Sequence, residues 1–117
     1  MKIFLISPVR TLDTLTFHEI SAYVTKLASE GHVVYWPVIG TNQRQKEMAI
    51  CQENKEAIIK ADEIHIWYDV DSLGSIFDLG MAWALNKKLV IANDVDGSYE
   101  KSFANLIIDW SSQKEVI

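Results

Sequence analysis

The stretch IHIWYDVDSLGSIFDLGMAWAL, residues Ile64–Leu85, holds a strand, a loop and a helix in direct succession. Ile64–Tyr68 is a short, largely apolar run of the kind that forms a buried strand. Residues 69–72 are mostly polar, and residues 73–85 are long and apolar enough to predict a mostly buried helix. A strand that leads at once into a helix indicates one unit of a parallel sheet.

The rest of the chain repeats this alternation. Apolar runs predict strands at Ile3–Ile6, Val33–Trp36 and Leu89–Ala92, and helical patterns cover residues 15–30, 43–61 and 99–110. Because crossovers between parallel strands are right-handed, few topologies fit this order. We therefore predict an α/β fold with helices on both sides of a doubly wound parallel sheet. The predicted strand order is 2-1-3-4, with or without a further short edge strand.

Composition narrows the functional classes. The 117 residues are 49% hydrophobic and 23% charged, which is typical of a globular protein, and we treat residues 1–117 as a single domain. The formal net charge of -5 gives no general attraction to nucleic-acid polymers or anionic membranes. The apolar run at the N-terminus is too short for a signal peptide core or a membrane span. We therefore expect a soluble cytoplasmic domain.

No residue pattern in the chain indicates a metal or an organic cofactor. The single cysteine, Cys51, excludes an internal disulfide and a cysteine-based zinc site, and a buried inert thiol is the expected state. His18, His32 and His65 lack metal-ligand spacing; we place His18 on a helix surface and the other two at strand ends. We expect a protein without cofactor and without metal.

The predicted topology itself points to a ligand site. In open α/β sheets, ligands bind at the carboxyl ends of the strands, where the strand order reverses. Here that place lies between the loop after the first strand, residues 7–12, and the loop after the third strand, residues 69–75. The fold prediction thus selects two loops before any motif is considered.

Asp78 is the one charged residue within residues 73–85. Burying an unpaired carboxylate is unfavourable, so its pKa should rise unless donors keep it ionised. Gly74 and Ser75 precede it by four and three residues and share its side of the helix. Asp78 then lies about one turn below the helix N-terminus, facing the predicted crevice. Two interpretations stay open: a reactive carboxylate, or one that hydrogen-bonds to a nearby group and helps to pack the helix.

The same helix end offers donors for an anion. Free backbone N–H groups, together with the hydroxyls of Ser72 or Ser75, form a natural site for phosphate or carboxylate. Ser7 and Arg10 of the first loop add a hydroxyl and a guanidinium at the switch point. The alternatives are ordinary ones: Ser72 as an N-cap, Gly74 for close packing and Arg10 as a surface residue.

Further polar residues have less certain roles. Asn54 lies near the apolar stripe of its helix, where an amide can line the crevice or cap a neighbouring segment. Asp69 and Asp71 can bind a sugar hydroxyl, a base or a metal, and a solvated loop is the favoured interpretation. Trp36, at the end of the second strand, can stack on a base, although a core position is the default.

At these residues the chain resembles the nucleoside 2-deoxyribosyltransferase superfamily, including its 2'-deoxynucleoside 5'-monophosphate N-glycosidase branch. The resemblance covers most of the chain and rests on the opening strand and loop, Gly31–Pro37, Asn54 with Ile58 and Ala61-Asp62, Asp69–Ala84, and Val90-Ile91. It implies a small, flavodoxin-like three-layer fold that assembles as dimers or higher oligomers, with sites near subunit interfaces.

The resemblance also implies roles for individual residues. Family members carry a nucleophilic glutamate in a Glu-Leu-Gly or Glu-Ile-Gly context, and Asp78-Leu79-Gly80 puts Asp78 at that position. Ser72-Leu73-Gly74 is similar to the loop that holds a 5'-phosphate, and Ser7 and Arg10 resemble its Ser-x-Arg partner with one extra residue between them. The Asp-Asp-Gly of the free-nucleoside transferases is missing here, which favours a nucleotide ligand.

These observations give a functional hypothesis with alternatives. The hypothesis is cleavage or transfer of the N-glycosidic bond of a (deoxy)nucleoside or its 5'-monophosphate by Asp78. Asn54 and Asp71 would position the base or the sugar, and the phosphate would be held by Ser7, Arg10, Ser72, Gly74 and Ser75. An aspartate in place of glutamate withdraws the carboxylate by about an ångström, which can cost on the order of 100-fold in rate. The first alternative is therefore a nucleotide-binding or sensing module without turnover, and the second is an interaction protein whose tryptophans serve an oligomer.

Overall fold

The computed structural model describes residues 1–113. In that part of the chain, strands and helices alternate from the N-terminus onward. The elements are β1 (Lys2–Ile6), α1 (Thr14–Ser29), β2 (Val33–Tyr35), α2 (Pro37–Gly40), α3 (Glu47–Lys60), β3 (Glu63–Ile66), α4 (Leu73–Ala84), β4 (Leu89–Ile91) and α5 (Phe103–Ser111).

The strands form one parallel sheet in the order β2-β1-β3-β4, which confirms the predicted fold class and order. The register aligns Phe4 of β1 with Tyr35 of β2 and with Ile64 of β3, and Ile64 with Leu89 of β4. Paired residues of parallel strands point to the same face, so this row of side chains lies under one layer of helices. The further edge strand left open by the sequence is not among the four strands of residues 1–113.

Helices cover both faces of the sheet. On one face, α3, α4 and α5 pack on the even-numbered residues of β1 and β3, with Phe4, Ile6, Ile64 and Ile66 in the core. On the other face, α1 packs on the odd-numbered residues, with Leu5, Ile20 and Trp36 buried together. Burial on both faces explains why Ile3–Ile6 is continuously apolar, since neither face of β1 meets water.

Local capping explains both ends of α1 and the start of α4. Asp13 caps α1 by accepting a hydrogen bond from the Thr16 N–H at 2.7 Å. Gly31 follows α1 with a φ of 92°, the left-handed conformation that glycine adopts without strain, as predicted for this helix end. Ser72 caps α4, and its Oγ accepts from the Ser75 N–H at 3.3 Å. These contacts fix where α4 begins and therefore where Asp78 lies.

Three helix predictions differ from the structure. The short helix α2 follows β2 because Pro37 occupies a first-turn position, where its fixed φ is favourable. Helix α3 begins at Glu47, later than predicted, because Asn42 folds the preceding segment into a turn by accepting from the Arg44 N–H. Helix α5 begins at Phe103 because Ser102, rather than Ser98, provides the cap.

The prediction that residues 73–85 are mostly buried is wrong for half of the helix surface. Ser75, Leu79 and Ala82 of α4 are buried, but Leu73 is 83% exposed and Phe77 is 56% exposed. A single sheet buries only one face of a helix that lies on it. Packing on the sheet therefore does not account for the apolar residues on the other face of α4. In residues 1–113, no helix combines the length and the hydrophobicity needed to cross a bilayer.

Candidate active site

The loops after β1 and β3 meet at the carboxyl edge of the sheet, as the strand order requires. The hydroxyl of Thr11 lies 3.5 Å from Oδ2 of Asp69, which links the two loops. The side chain of Asn93, just past β4, accepts from the Tyr68 N–H at 2.8 Å and donates to the Tyr68 carbonyl at 2.9 Å. This edge is therefore held together by contacts between the segments that follow β1, β3 and β4.

Asp78 lies in the second turn of α4 and is half-buried. Burial raises its pKa to about 7, and a hydrogen bond from the side chain of Asn54 partly counters this rise. No charged neighbour contributes to the shift. The expected pKa rise is confirmed, and at neutral pH this carboxyl group exists in both protonation states.

Asn54 lies on α3, which packs against α4, and its side chain is the polar neighbour that lowers the pKa of Asp78. Asn54 is itself buried, and its Oδ1 accepts a hydrogen bond from the Thr41 hydroxyl at 2.8 Å. Thr41 in turn lies 2.7 Å from the hydroxyl of Tyr35, at the end of β2. The sequence analysis named Asn54 but missed Thr41 and Tyr35. Thr41 stands in a polar stretch after a glycine, which reads as an ordinary turn, so no local signal marked it.

The two serines of α4 contact each other. Ser72 Oγ and Ser75 Oγ are 2.7 Å apart, and both residues are buried. Gly74 lies between them on the surface, and a Cβ added there would meet nothing within 4 Å. Gly74 is thus not required for packing inside the chain, contrary to the packing alternative. The open side of Gly74 leaves space beside the first turn of α4.

The residues of the first loop are divided between the core and the surface. The hydroxyl of Ser7 donates to the Pro8 carbonyl at 3.0 Å and accepts from Trp36 Nε1 at 2.8 Å, so this group serves packing in the present arrangement. Trp36 is buried, which confirms the core interpretation for that ring. Arg10 is exposed and forms no salt bridge within residues 1–113. Its guanidinium is available for an anion.

Asp71, the remaining predicted ligand residue, is exposed, and its N–H donates to Oδ1 of Asp69 at 3.0 Å. The structure therefore brings Asn54 together with Asp78, and Ser72 together with Ser75. No direct contact joins Asp78 to Ser7, Arg10 or Asp71 within the described residues.

Two predictions about other titratable residues need correction. His65 lies inside β3, not at a strand end, and is buried between Tyr23 and Glu63 on the α1 face. Cys51 is half-buried rather than fully buried, because α3 turns that position partly to the surface. Among residues 1–113, no cluster of three histidine, cysteine or acidic side chains is arranged to hold a metal ion.

A groove of about 300 Å³ lies between α3, the start of β1 and the edge strand β2. Its walls include Ile3, Val33 and Ala57. Tyr35 also lines it, and is the one residue that the groove shares with the polar group around Asp78, formed by Tyr35, Thr41, Asn54 and Asp78. The predicted phosphate-binding residues do not line it. The candidate functional residues therefore lie at the carboxyl edge of the sheet and not in this groove.

Comparison with known proteins gives a consistent picture of the fold. No protein-family model matches the chain, and no curated protein sequence matches it. The 2-deoxyribosyltransferase of Bacillus psychrosaccharolyticus is similar in structure, with a TM-score of 0.71 and 19% identity over 94% of this chain and 82% of that one. The CMP N-glycosidase BcmB of Clostridium botulinum has a TM-score of 0.62 and 20% identity over 78% of this chain and 67% of that one.

At such low identity, these similarities establish the fold. Any activity has to be argued from the side chains of this chain. The parallel order β2-β1-β3-β4 with helices on both faces extends over nearly the whole chain in the first comparison. The chain therefore has the fold of the nucleoside 2-deoxyribosyltransferase-like enzymes, as its sequence resemblance predicts.

Proposed function

We propose that this protein cleaves or transfers the N-glycosidic bond of a (deoxy)nucleoside or its 5'-monophosphate, with Asp78 as the nucleophile. The observation that carries the proposal is Asp78 itself. It is a partly buried carboxyl on an otherwise uncharged helix, at the edge of the sheet where ligands bind in this architecture. The fold similarity to a deoxyribosyltransferase and a CMP N-glycosidase supports this assignment.

In the proposed reaction, an oxygen of the ionised Asp78 carboxylate attacks the anomeric carbon of the sugar. The carbon–nitrogen bond breaks, its electron pair stays with the base, and the base takes up a proton. The glycosyl ester on Asp78 is then released when water, or a nitrogen of a second base, attacks the same carbon. Water gives hydrolysis and a second base gives transfer.

The surrounding residues fit the substrate class. The N-terminus of α4, with Ser72, Gly74 and Ser75, faces open space and is suited to the 5'-phosphate. Arg10 provides the positive charge that the phosphate needs. Ser7 contributes mainly by holding the loop through Trp36. Asn54 and Asp71 remain the proposed contacts to the base or the sugar, with Asn54 also touching Asp78.

We further propose that the protein works as a homodimer or higher homo-oligomer in the cytoplasm. The outer face of α4 presents Leu73, Phe77 and Trp83, each more than half exposed, next to the proposed site. An uncharged apolar helix face of this kind is typical of a contact between subunits. A Phe77→Lys variant is expected to lower the mass measured by light scattering. An unchanged mass would place the contact elsewhere or leave the protein monomeric.

The proposal is tested by a product assay. The protein is incubated with a panel of nucleosides and nucleoside 5'-monophosphates, with both ribose and deoxyribose, and free base is measured by chromatography. Asp78→Ala is run in parallel, with Asp109→Ala on the exposed surface of α5 as the matched control. Release by the wild type and by the control, but not by Asp78→Ala, is the expected result.

Two results would contradict the proposal. Base release that survives in Asp78→Ala would assign the chemistry to another residue. An absence of release from every substrate, together with thermal stabilisation by a nucleotide, would replace the enzyme with a binding module. The aspartate at position 78, one methylene shorter than the glutamate of the family that the sequence resembles, is the observation that favours that second candidate.

A further inference from the structure

We infer that Thr41 and Tyr35 are positioning residues: through hydrogen bonds they hold the Asn54 amide by its oxygen, which leaves its N–H group for the Asp78 carboxyl on the neighbouring helix. The structural part of this inference stands on its own contacts, and its catalytic consequence rests on the proposed function of Asp78. Neither Thr41 nor Tyr35 is expected to touch the reacting atoms.

Asn54 is held by two successive hydrogen bonds, of which the Thr41–Asn54 link is buried. Thr41 is 4% exposed and Asn54 is 6% exposed, so water does not compete for their polar atoms. The Thr41 hydroxyl donates to Asn54 Oδ1 at 2.8 Å, and it lies 2.7 Å from the Tyr35 hydroxyl. The Tyr35 ring is itself held in place, stacked on Phe4 with ring centroids 5.6 Å apart. Each link is thus anchored by an element of the core.

Counting protons gives this chain a direction. A threonine hydroxyl has a single proton, and here Thr41 gives it to Asn54 Oδ1. The Tyr35 hydroxyl must then be the donor in its contact with Thr41. Because Oδ1 of Asn54 is occupied, the Nδ2 hydrogens remain for Asp78. The order Tyr35 to Thr41 to Asn54 therefore runs one way, and it leaves the amide N–H group of Asn54 free to donate to Asp78.

The direction matters for the carboxylate. An N–H donor stabilises the ionised form of Asp78, whereas a carbonyl oxygen turned towards it would favour the protonated form. Burial and the Asn54 hydrogen bond are the two causes that act on the pKa of Asp78. No titratable side chain is among the causes of that shift, and those on the adjacent elements are Glu47, Cys51, Glu53, Lys55, Glu56 and Lys60 of α3 and Asp69 and Asp71 of the loop before α4. Asn54 is therefore the one polar group whose orientation sets how readily this nucleophile ionises.

The test measures Asp78 directly and needs no substrate. The carboxyl ¹³C signal of Asp78 is followed by NMR against pH in the wild type and in Thr41→Val, Thr41→Ser and Tyr35→Phe. Thr41→Val removes the hydroxyl at constant shape, which frees the amide to turn, and we expect the pKa of Asp78 to rise by roughly one. Thr41→Ser keeps the donor and should restore the wild-type pKa. Tyr35→Phe should give a smaller rise, because Thr41 can still donate.

The control is Thr25→Val on the exposed surface of α1, which removes a hydroxyl far from this chain and should leave Asp78 unchanged. An unchanged Asp78 pKa in a folded Thr41→Val variant would overturn the inference. Should that variant not fold, the wild type decides: the Asn54 side-chain amide ¹⁵N–H signals must shift with the same midpoint as Asp78, and their failure to do so would also overturn it.

The outcome is separable from that of the proposed function. A protein that releases no base can still show a coupled titration of Asp78 and Asn54, which would preserve the positioning role without the reaction. Where base release is found, Thr41→Val should lower kcat most at acidic pH and leave KM nearly unchanged. Thr41→Ser should recover kcat.

Discussion

Two carboxyl groups, Glu63 and Asp78, lie on opposite faces of the sheet and are both removed from water. Glu63 contacts Nε2 of His65 at 2.8 Å and the ammonium of Lys88 at 3.4 Å. Burial alone would raise the pKa of Glu63, but the His65 hydrogen bond and the Lys88 charge outweigh it and hold the pKa below its usual value. Asp78 has an amide as its polar partner, and its pKa rises to about 7.

The difference shows which of the two buried polar clusters is suited to chemistry. The Glu63 cluster continues through His65 to the Tyr23 hydroxyl and links α1 to β3. Its polar groups therefore hydrogen-bond to one another. In the other cluster, formed by Tyr35, Thr41, Asn54 and Asp78, the carboxyl has no ionic partner within residues 1–113. Ion pairs whose polar groups are all hydrogen-bonded stabilise a fold. A carboxyl group that has a pKa near 7 and no ionic partner is typical of reactive sites.

The largest expected effect is a difference in the rate of base release between variants of Asp78 and Glu63. Asp78→Asn removes the nucleophile and should lower base release by roughly a thousand-fold or more. Glu63→Gln changes the charge of the other buried carboxyl and should leave the rate within roughly tenfold of the wild type. Chromatographic measurement of kcat/KM for both variants checks this. Equal losses in both would show that the effect is one of folding.

The next effect concerns the length of the side chain. Asp78→Glu moves the carboxylate by about an ångström, and in a pocket built around aspartate this should cost on the order of 100-fold in kcat. The same assay measures it, with circular dichroism as the check on folding. A gain in rate would instead mean that the pocket suits glutamate and that the aspartate itself limits the reaction.

A smaller effect is expected in the pH dependence of the rate. Because Asp78 must be ionised to attack, kcat/KM should increase roughly tenfold per pH unit below pH 7 and level off above it. The rising limb should have its midpoint near the Asp78 pKa of about 7. A flat profile from pH 5 to 8 in the wild type would exclude Asp78 as the group that limits the rate.

The smallest effect is on stability, where the two carboxyls should behave in opposite ways. The folded-state pKa of Asp78 is raised, so its favourable contribution is full at acid pH and is lost as pH rises through about 7. Asp78→Asn should therefore melt higher than the wild type at pH 8, by roughly 5 °C, with the gap shrinking towards pH 4.

Glu63 has a lowered folded-state pKa, so its stabilisation is present above its unfolded value of 4.5 and is lost as pH falls further. Glu63→Gln should melt lower than the wild type at pH 7, and the difference should fade below pH 4. Thermal melts of both variants across this range provide the comparison. Parallel curves for the two would contradict the assigned pKa directions.

Much of this could be read from the chain because it depends on neighbours in sequence. The apolar runs, the Pro8 and Pro37 stops and the Gly31 helix end specify four strands and their order, since parallel pairing with right-handed crossovers leaves few choices. Asp78 also stood out locally, as the single charge in residues 73–85. The rise in its pKa followed from that setting alone.

What only the tertiary structure decided are the partners of the polar side chains. Ser7 meets Trp36 across 29 residues, Tyr23 meets His65 across 42, and Thr41 meets Asn54 across 13. Hydrogen-bond partners are set by distances of about 3 Å that no periodicity records. The sequence by itself therefore determined the sheet, the crevice and the exceptional carboxyl. The packing of α3 against α4, and of α1 against β3, decided which carboxyl has an ionic partner and which one has none.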